Sequence, residues 1–308
     1  MLPIVIFGPT ATGKTALAVA LAEKLGSFII SADSMQVYSD LDIGSGKPTP
    51  MELASVKHFL VGIRSPIEPF NAGEFVRHTL KILEENSRIK HPVIAGGTGM
   101  YLFSLIHGIH GFPEIDPVIS TKLEGLSTAD LRDRLEAHDP DSASLIGCND
   151  RKRITRALQI FMQTGRTYSS WIAGDDKLRW NGNAIHVNLT FQRSVLYDRI
   201  SARVDTMFAN GWISEVHRLL EKFPRDAYGF RQAIGYSDII RHIDGELNLD
   251  ETLALIKRKT CNYAKKQETW FNKFPGGLLL RDISLSEAME QILAFIAGIV
   301  SDETGKKI

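Results

Sequence analysis

The stretch Ile4-Val5-Ile6-Phe7-Gly8-Pro9-Thr10-Ala11-Thr12-Gly13-Lys14-Thr15 decides the fold. An apolar run of strand length passes directly into Gly8 to Thr15, which fits the spacing G-x-x-x-x-G-K-[ST]. A helical pattern then runs from Lys14 to Leu25 and stops at Gly26. Strand, glycine-bounded loop and helix in that order make a cradle for a diphosphate. The glycines let backbone N–H groups wrap the anion and the helix N-terminus adds positive potential. Lys14 supplies a point charge, and the Thr15 hydroxyl is placed to hold Mg²⁺.

Outward from this loop, short β-branched runs alternate with helical patterns through the first hundred residues, the signature of a parallel sheet covered by helices. Strands are expected at Ile4–Phe7, Phe28–Ser31, His58–Ile63 and Val93–Ala95, with a second helix from Gly73 to about Ile89. Between about Gly111 and Asn183 the β-branched runs vanish, and an inserted all-helical domain is expected. A strand at Ile185–Phe191 returns the chain to the sheet. Helical patterns at roughly 193–222, 229–242 and 250–273, a run at Leu278–Leu280 and a last helix from Ser286 to about Ile299 complete it. The predicted class is α/β: a P-loop NTPase-like core of residues 1–110 and 184–308, with a helical insertion at 111–183.

The composition of the 308 residues is that of a globular chain: 44% hydrophobic, 23% charged, 36 basic against 36 acidic side chains. That balance excludes collagen, coiled coil and disorder. Cys148 and Cys261 stand far apart and outside any C-x-x-C pair, so no disulfide framework or zinc knuckle is encoded, and a cytoplasmic setting is expected. The N-terminus reads as a buried strand rather than a signal peptide, and no stretch is apolar enough to span a bilayer. His107 and His110 lack metal-ligand partners at suitable spacing and read as structural.

The cradle does not settle the chemistry, because a diphosphate can be a nucleotide's tail or a leaving group. The strand ending at Ala95 runs into Gly96-Gly97-Thr98, not into the Asp expected of a phosphate-hydrolysing protein. The carboxylate at a strand tip in this half is Asp33, in Ser31-Ala32-Asp33-Ser34, where an open α/β sheet faces its ligand. Three roles stay open for it: general base, magnesium ligand or turn cap. Two basic segments point to a polyanionic partner or to solvated faces. Arg151-Lys152-Arg153-Ile154-Thr155-Arg156 puts four cations at a helix start, where the dipole disfavours them. Lys257 to Lys273 interleaves six cations with three aromatics, and Lys259, Tyr263, Lys266 and Trp270 share one helical stripe. Cations for phosphates and rings for unstacked bases suit RNA, although Trp270 and Phe271 also suit a core.

Several segments, in order along nearly the whole chain, resemble the tRNA dimethylallyltransferase family: the Gly8–Thr15 loop, Ser31-Ala-Asp-Ser-Met-Gln-Val-Tyr38, Asp42 to Thr49, Gly96 to Tyr101, Arg153 to Leu158, Arg231 to Tyr236, and Tyr263 to Phe271. The resemblance implies an enzyme that moves a dimethylallyl group from dimethylallyl diphosphate to N6 of adenosine 37, beside the anticodon in the tRNA anticodon stem-loop. It implies Mg²⁺ as cofactor, no membrane and no obligate protein partner, so a monomer is expected. Asp33 becomes the general base. Thr10 and Arg203 join it as catalytic groups, and Gly8, Thr10, Ala11, Thr12, Gly13, Lys14, Thr15 and Arg203 hold the diphosphate. The implied tRNA contacts are Asp33, Ser34, Met35, Gln36, Thr98, Lys152, Arg153, Ile154, Thr155, Arg156, Arg231, Gln232, Gly235 and Tyr236, to which the stripe adds Lys259 and Lys266. The sequence departs from the family pattern at Ser45-Gly46 for Thr-Ala, Ser120 for arginine and Cys261-Asn262 for Arg-Gln, none of them expected at the reaction centre. Rival readings are an adenylate isopentenyltransferase acting on a free nucleotide, a P-loop small-molecule kinase and a non-catalytic RNA-binding module.

Overall fold

The computed structural model describes residues 1–174, 177–274 and 276–305. Its centre is a six-stranded, wholly parallel sheet of β1 (Ile4–Phe7), β2 (Ile29–Ser31), β3 (His58–Phe59), β4 (Val93–Gly96), β7 (Ile185–Thr190) and β8 (Leu278–Arg281), in the order β3-β2-β4-β1-β7-β8. Strand β1 lies in the middle, with Ile4 in register with both Val93 and Ile185. All four of its residues are buried, which is why it reads as an unbroken apolar run and not as an alternation. On one face Ile4, Ile6, Val93, Ile185 and Val187 pack against Leu17 and Leu21 of helix Lys14–Leu25 and Ile292 of helix Leu285–Gly305. Gly8 turns the chain out of β1 at φ 149°, and a Cβ there would overlap the Leu189 carbonyl of β7. Only glycine lets the loop leave the sheet at this point.

The chain divides into two compact units, residues 1–106 with 180–308 and residues 107–179. The expected insertion ran 111–183. The observed unit begins and ends earlier because a short antiparallel ladder, β5 (Ile109–His110) with β6 (Lys177–Leu178), closes it, while the Trp180 N–H donates to Leu105 O of the larger unit. The insertion is therefore not all-helical as expected. Its core is Leu123, Leu131, Leu135, Ile154 and Leu158, from helices Pro117–Glu124, Thr128–His138 and Arg151–Thr164.

Other expectations also change. Strand His58–Ile63 shrinks to β3, because Leu60 (φ 62°) and Gly62 (φ 64°) enter the left-handed region. The 193–222 pattern is two helices, Arg193–Ala209 and Trp212–Lys222, broken at Asn210-Gly211 with Gly211 at φ 90°. The 229–242 pattern is likewise Tyr228–Gln232 and Tyr236–Ile243, parted at Gly235. Helices Pro50–Ser55 and Gly99–His107 were not foreseen. No described helix is long and apolar enough to cross a membrane.

Candidate active site

The carboxyl ends of β1, β2 and β4 converge on one cavity of about 560 Å³ within the larger unit. Its floor is the loop after β1 and the helix start that follows, lined by Thr10, Ala11, Gly13, Lys14 and Thr15, and its sides carry Asp33 to Gln36 after β2 and Gly96-Gly97 at the end of β4. Helix Arg193–Ala209 contributes Arg203, Val204 and Met207. Trp212, Ile234, Thr260, Tyr263 and Gln267 complete the wall. A polar cradle thus meets an apolar wall of Met35, Val204, Met207, Trp212 and Ile234, suited to a ligand with an anionic head and a hydrocarbon tail.

In the cradle the Thr12 hydroxyl and the Lys14 ammonium both donate to Pro9 O, at 2.9 and 2.6 Å. Burial, then the nearby positive Arg203, push the Lys14 pKa down to about 7, with Asp33 opposing them. Burial also lowers the Arg203 pKa, again opposed by Asp33. Two half-buried cations are therefore focused on one small volume, a field that an incoming diphosphate relieves. Lys14 at about 7 leaves the free protein losing this proton above pH 7 and regaining it when an anion binds. Diphosphate binding is expected to take up close to one proton at pH 8 and almost none at pH 6. Calorimetry in buffers of different ionisation enthalpy measures it, with Lys14→Met subtracting the ligand's own titration; equal uptake by both proteins would remove Lys14 from the linkage.

The Thr15 hydroxyl makes no hydrogen bond among the described residues, and no His, Cys, Asp or Glu cluster able to hold a metal is found among them. Hard oxygen donors from one hydroxyl and a bound diphosphate fit Mg²⁺, which commonly shares its ligands with substrate phosphates and water. Asp33 takes the bland role open to it without being exhausted by it: Oδ1 accepts from Met35 N (2.8 Å) and Gln36 N (3.4 Å), a turn cap, while Oδ2 has no hydrogen bond among the described residues. Thr98 Oγ1 accepts from Ser34 N (2.9 Å) and donates to Ser34 Oγ (3.2 Å), so the tips of β2 and β4 are joined beside Asp33.

Residues outside the expected set support this geometry. Gln267, buried on helix Leu249–Phe271, accepts from Thr10 N and donates to Gly97 O, both at 2.8 Å. Glu215, 3% exposed, accepts from Asp42 N (3.1 Å), Ile43 N (2.7 Å), Gly44 N (3.3 Å) and the Tyr236 hydroxyl (2.7 Å). Burial, and then this carboxylate, raise the Tyr236 pKa well above its usual value. In sequence Glu215 is one more polar residue on an amphipathic helix, and its three backbone partners lie more than 170 positions away, so no local signal marks it.

Several expected contacts need correction. Ile154 and Tyr236 are 0% exposed, the one in the insertion core and the other on Glu215, and Gly235 is buried against Trp212, so none of the three offers a surface to a macromolecule. Lys259 stays exposed, although its ammonium is paired with Asp238, itself 2% exposed, at 2.7 and 2.9 Å. Lys152, Arg153, Arg231, Gln232 and Lys266 are exposed, Thr155 and Arg156 half-buried, and Arg156 lies over the Phe112 ring. Phe271 belongs to the core, 5.1 Å from the Phe7 ring centroid, and half-buried Trp270 meets Phe103 edge-on. The departures also distribute unexpectedly. Ser120 is held by Gln159, and Cys261 packs on the Leu196–Ile200–Ala264 cluster. Gly46, however, lines the cavity at φ 61°, and a Cβ on it would overlap the Arg203 guanidinium, so this departure does reach the site.

The family model for IPP transferase matches residues 36–274. The chain is 39% identical over 305 residues to the tRNA dimethylallyltransferase of Geobacillus thermodenitrificans, covering 96% of each, and 41% identical over 282 residues to that of Syntrophobacter fumaroxidans, covering 89% of this chain and 82% of the relative. Among solved structures, the full-length tRNA isopentenylpyrophosphate transferase of Bacillus halodurans superposes with a TM-score of 0.71 at 33% identity, over 99% of each chain. A eukaryotic dimethylallyltransferase described as acting on tRNA gives 0.84 at 25% identity, over 98% of this chain and 80% of that one.

Proposed function

The chain belongs to the IPP transferase family, and from that premise we propose that it transfers a dimethylallyl group from dimethylallyl diphosphate to N6 of adenosine 37, next to the anticodon of tRNA, releasing diphosphate. The observation that carries this reading is the single cavity in which an anion cradle, an apolar wall and a carboxylate with a free oxygen meet.

The N6 lone pair is delocalised into the adenine ring, so the amine is a weak nucleophile. Attack on the allylic carbon forms the N–C bond as the C–O bond to diphosphate breaks, its electron pair leaving with the diphosphate. The N6 proton goes to Asp33 Oδ2, while Oδ1 stays fixed by the Met35 and Gln36 amides. Lys14 and Arg203 stabilise the charge gathering on the leaving group, with Thr10 among the loop residues lining the cavity beside them. The Thr15 hydroxyl would help hold Mg²⁺, which would supply further charge neutralisation at the leaving group. Extruding the target base costs a few kcal/mol, which phosphate contacts from Lys152, Arg153, Arg231 and Lys266 offset. The reaction takes place in the cytoplasm, with the chain acting as a monomer.

The test is transfer of label from dimethylallyl diphosphate, with Mg²⁺, to unmodified tRNA, to a tRNA lacking the target adenosine, and to free AMP. Label on the first alone is expected. Label on AMP would instead favour an enzyme acting on the free nucleotide, and label on none would reject prenyl transfer.

A further inference from the structure

Ala11 is the one non-glycine residue of the cradle in the left-handed region, at φ 65°. For an alanine that conformation is disfavoured by roughly five- to thirty-fold in population, and it persists only where the surroundings over-determine it. Here the loop is held from outside at two peptide units, Pro9–Thr10 and Ala11–Thr12, which bracket the Thr10–Ala11 unit between them. On one side Gln267 Oε1 accepts the Thr10 N–H at 2.8 Å, and its amide is anchored in turn on Gly97 O. On the other, Arg199 Nε donates to Ala11 O at 2.8 Å. The guanidinium is itself fixed, stacked 4.5 Å above the Phe191 ring.

We propose that Gln267 and Arg199 are positioning residues that clamp the loop at Thr10 and Ala11 and hold it open for the diphosphate. The inference rests on the reading of this loop as a diphosphate site, and neither residue needs to touch the ligand. With the Ala11 carbonyl bound to Arg199, the Thr12 N–H, antiparallel to it across a trans peptide, faces away from the arginine. Gln267 meanwhile occupies the Thr10 N–H and ties the loop to the tip of β4, where Thr98 joins the Asp33 segment. Released from the clamp, Ala11 relaxes to negative φ, and the peptide that follows it turns with it.

Arg199 is exposed, so replacing it leaves the fold intact. Titration of inorganic diphosphate with Mg²⁺ into the full chain is expected to show about tenfold weaker binding for Arg199→Met, the scale of one charge-assisted hydrogen bond. In transfer assays the loss should fall on KM for the prenyl donor rather than on kcat. Adding Ala11→Gly to Arg199→Met should recover at least about threefold of the affinity, because glycine adopts positive φ without strain. A direct charge effect of Arg199 on the ligand would not respond to that second change. Gln267→Leu should weaken binding and be relieved by Ala11→Gly in the same way, with Gln267→Glu, which keeps the acceptor for Thr10 N, less impaired. Wild-type affinity in Arg199→Met, or a double variant no tighter than the single one, would overturn the clamp. Absence of diphosphate binding by the wild-type protein would overturn the functional reading itself, a result distinguishable from either.

Discussion

Replacing Asp33 by asparagine is expected to lower kcat about 10²- to 10⁴-fold, the range that a positioned general base contributes, with little change in stability or in diphosphate and tRNA affinity. The choice of asparagine follows from the geometry. Asp33 Oδ1 caps the turn through Met35 N and Gln36 N, and an asparagine carbonyl oxygen accepts the same two bonds. What asparagine cannot do is take a proton at the other position. Asp33→Ala removes both functions, so it should lose the same rate and also destabilise the protein by about 1 kcal/mol, the worth of a lost local cap. Comparing the two variants by single-turnover rates and thermal melts separates base from cap. Near-wild-type turnover in Asp33→Asn would leave Asp33 as a turn residue alone and send the base assignment elsewhere in the cavity.

That both roles fall on one carboxylate also shows where sequence reading reaches its limit. The loop from Gly8 to Thr15 was legible because its chemistry is local: a strand, two glycines and a helix start lie within a dozen residues, and spacing alone specifies the shape. The parallel sheet followed from β-branched runs at helix-length intervals. Helix breaks at Gly211 and Gly235 were masked because apolar spacing continues across them, although Asn210-Gly211 is a turn dipeptide that could have marked the first. Helix Pro50–Ser55 likewise carries a start signal, Thr49 and Glu52 as a capping box around Pro50. The residues that hold the site together had no such mark. Gln267 reaches Thr10 across 257 positions, and nothing in sequence reveals that Lys259 has a buried partner in Asp238. Gly46 read as a distant departure for the same reason. Its significance lies in the space it leaves for Arg203, 157 residues later, and that space exists only once helix Arg193–Ala209 has docked.

Glu215 is where such a long-range contact should have its largest effect on stability. Its two oxygens satisfy three consecutive amides, Asp42 to Gly44, in a part-buried stretch, and the fully buried Tyr236 hydroxyl. Glu215→Leu removes the acceptor of all four donors, one of them the fully buried Tyr236 hydroxyl. Each orphan costs about 1–3 kcal/mol alone, and, with relaxation of the loop, a total loss of about 3–5 kcal/mol is expected. Glutamine is not a neutral replacement here. Its carbonyl serves one pair of donors, but its NH₂ faces the other pair donor to donor, so Glu215→Gln should still cost about 2 kcal/mol. The consequence passes to the site through the backbone. Asp42 to Gly44 lead directly into Gly46, whose close approach to Arg203 shapes the diphosphate end of the cavity. Loosening the segment should therefore raise KM for the prenyl donor while kcat at saturation changes less. Hydrogen exchange gives the local readout: the amides of Asp42, Ile43 and Gly44 should lose protection in Glu215→Leu well beyond the amides of β1. Wild-type protection at those three amides, with a melting temperature shifted by no more than about 1 °C, would mean that Tyr236 and Trp212 hold the segment by packing and that the buried carboxylate is dispensable.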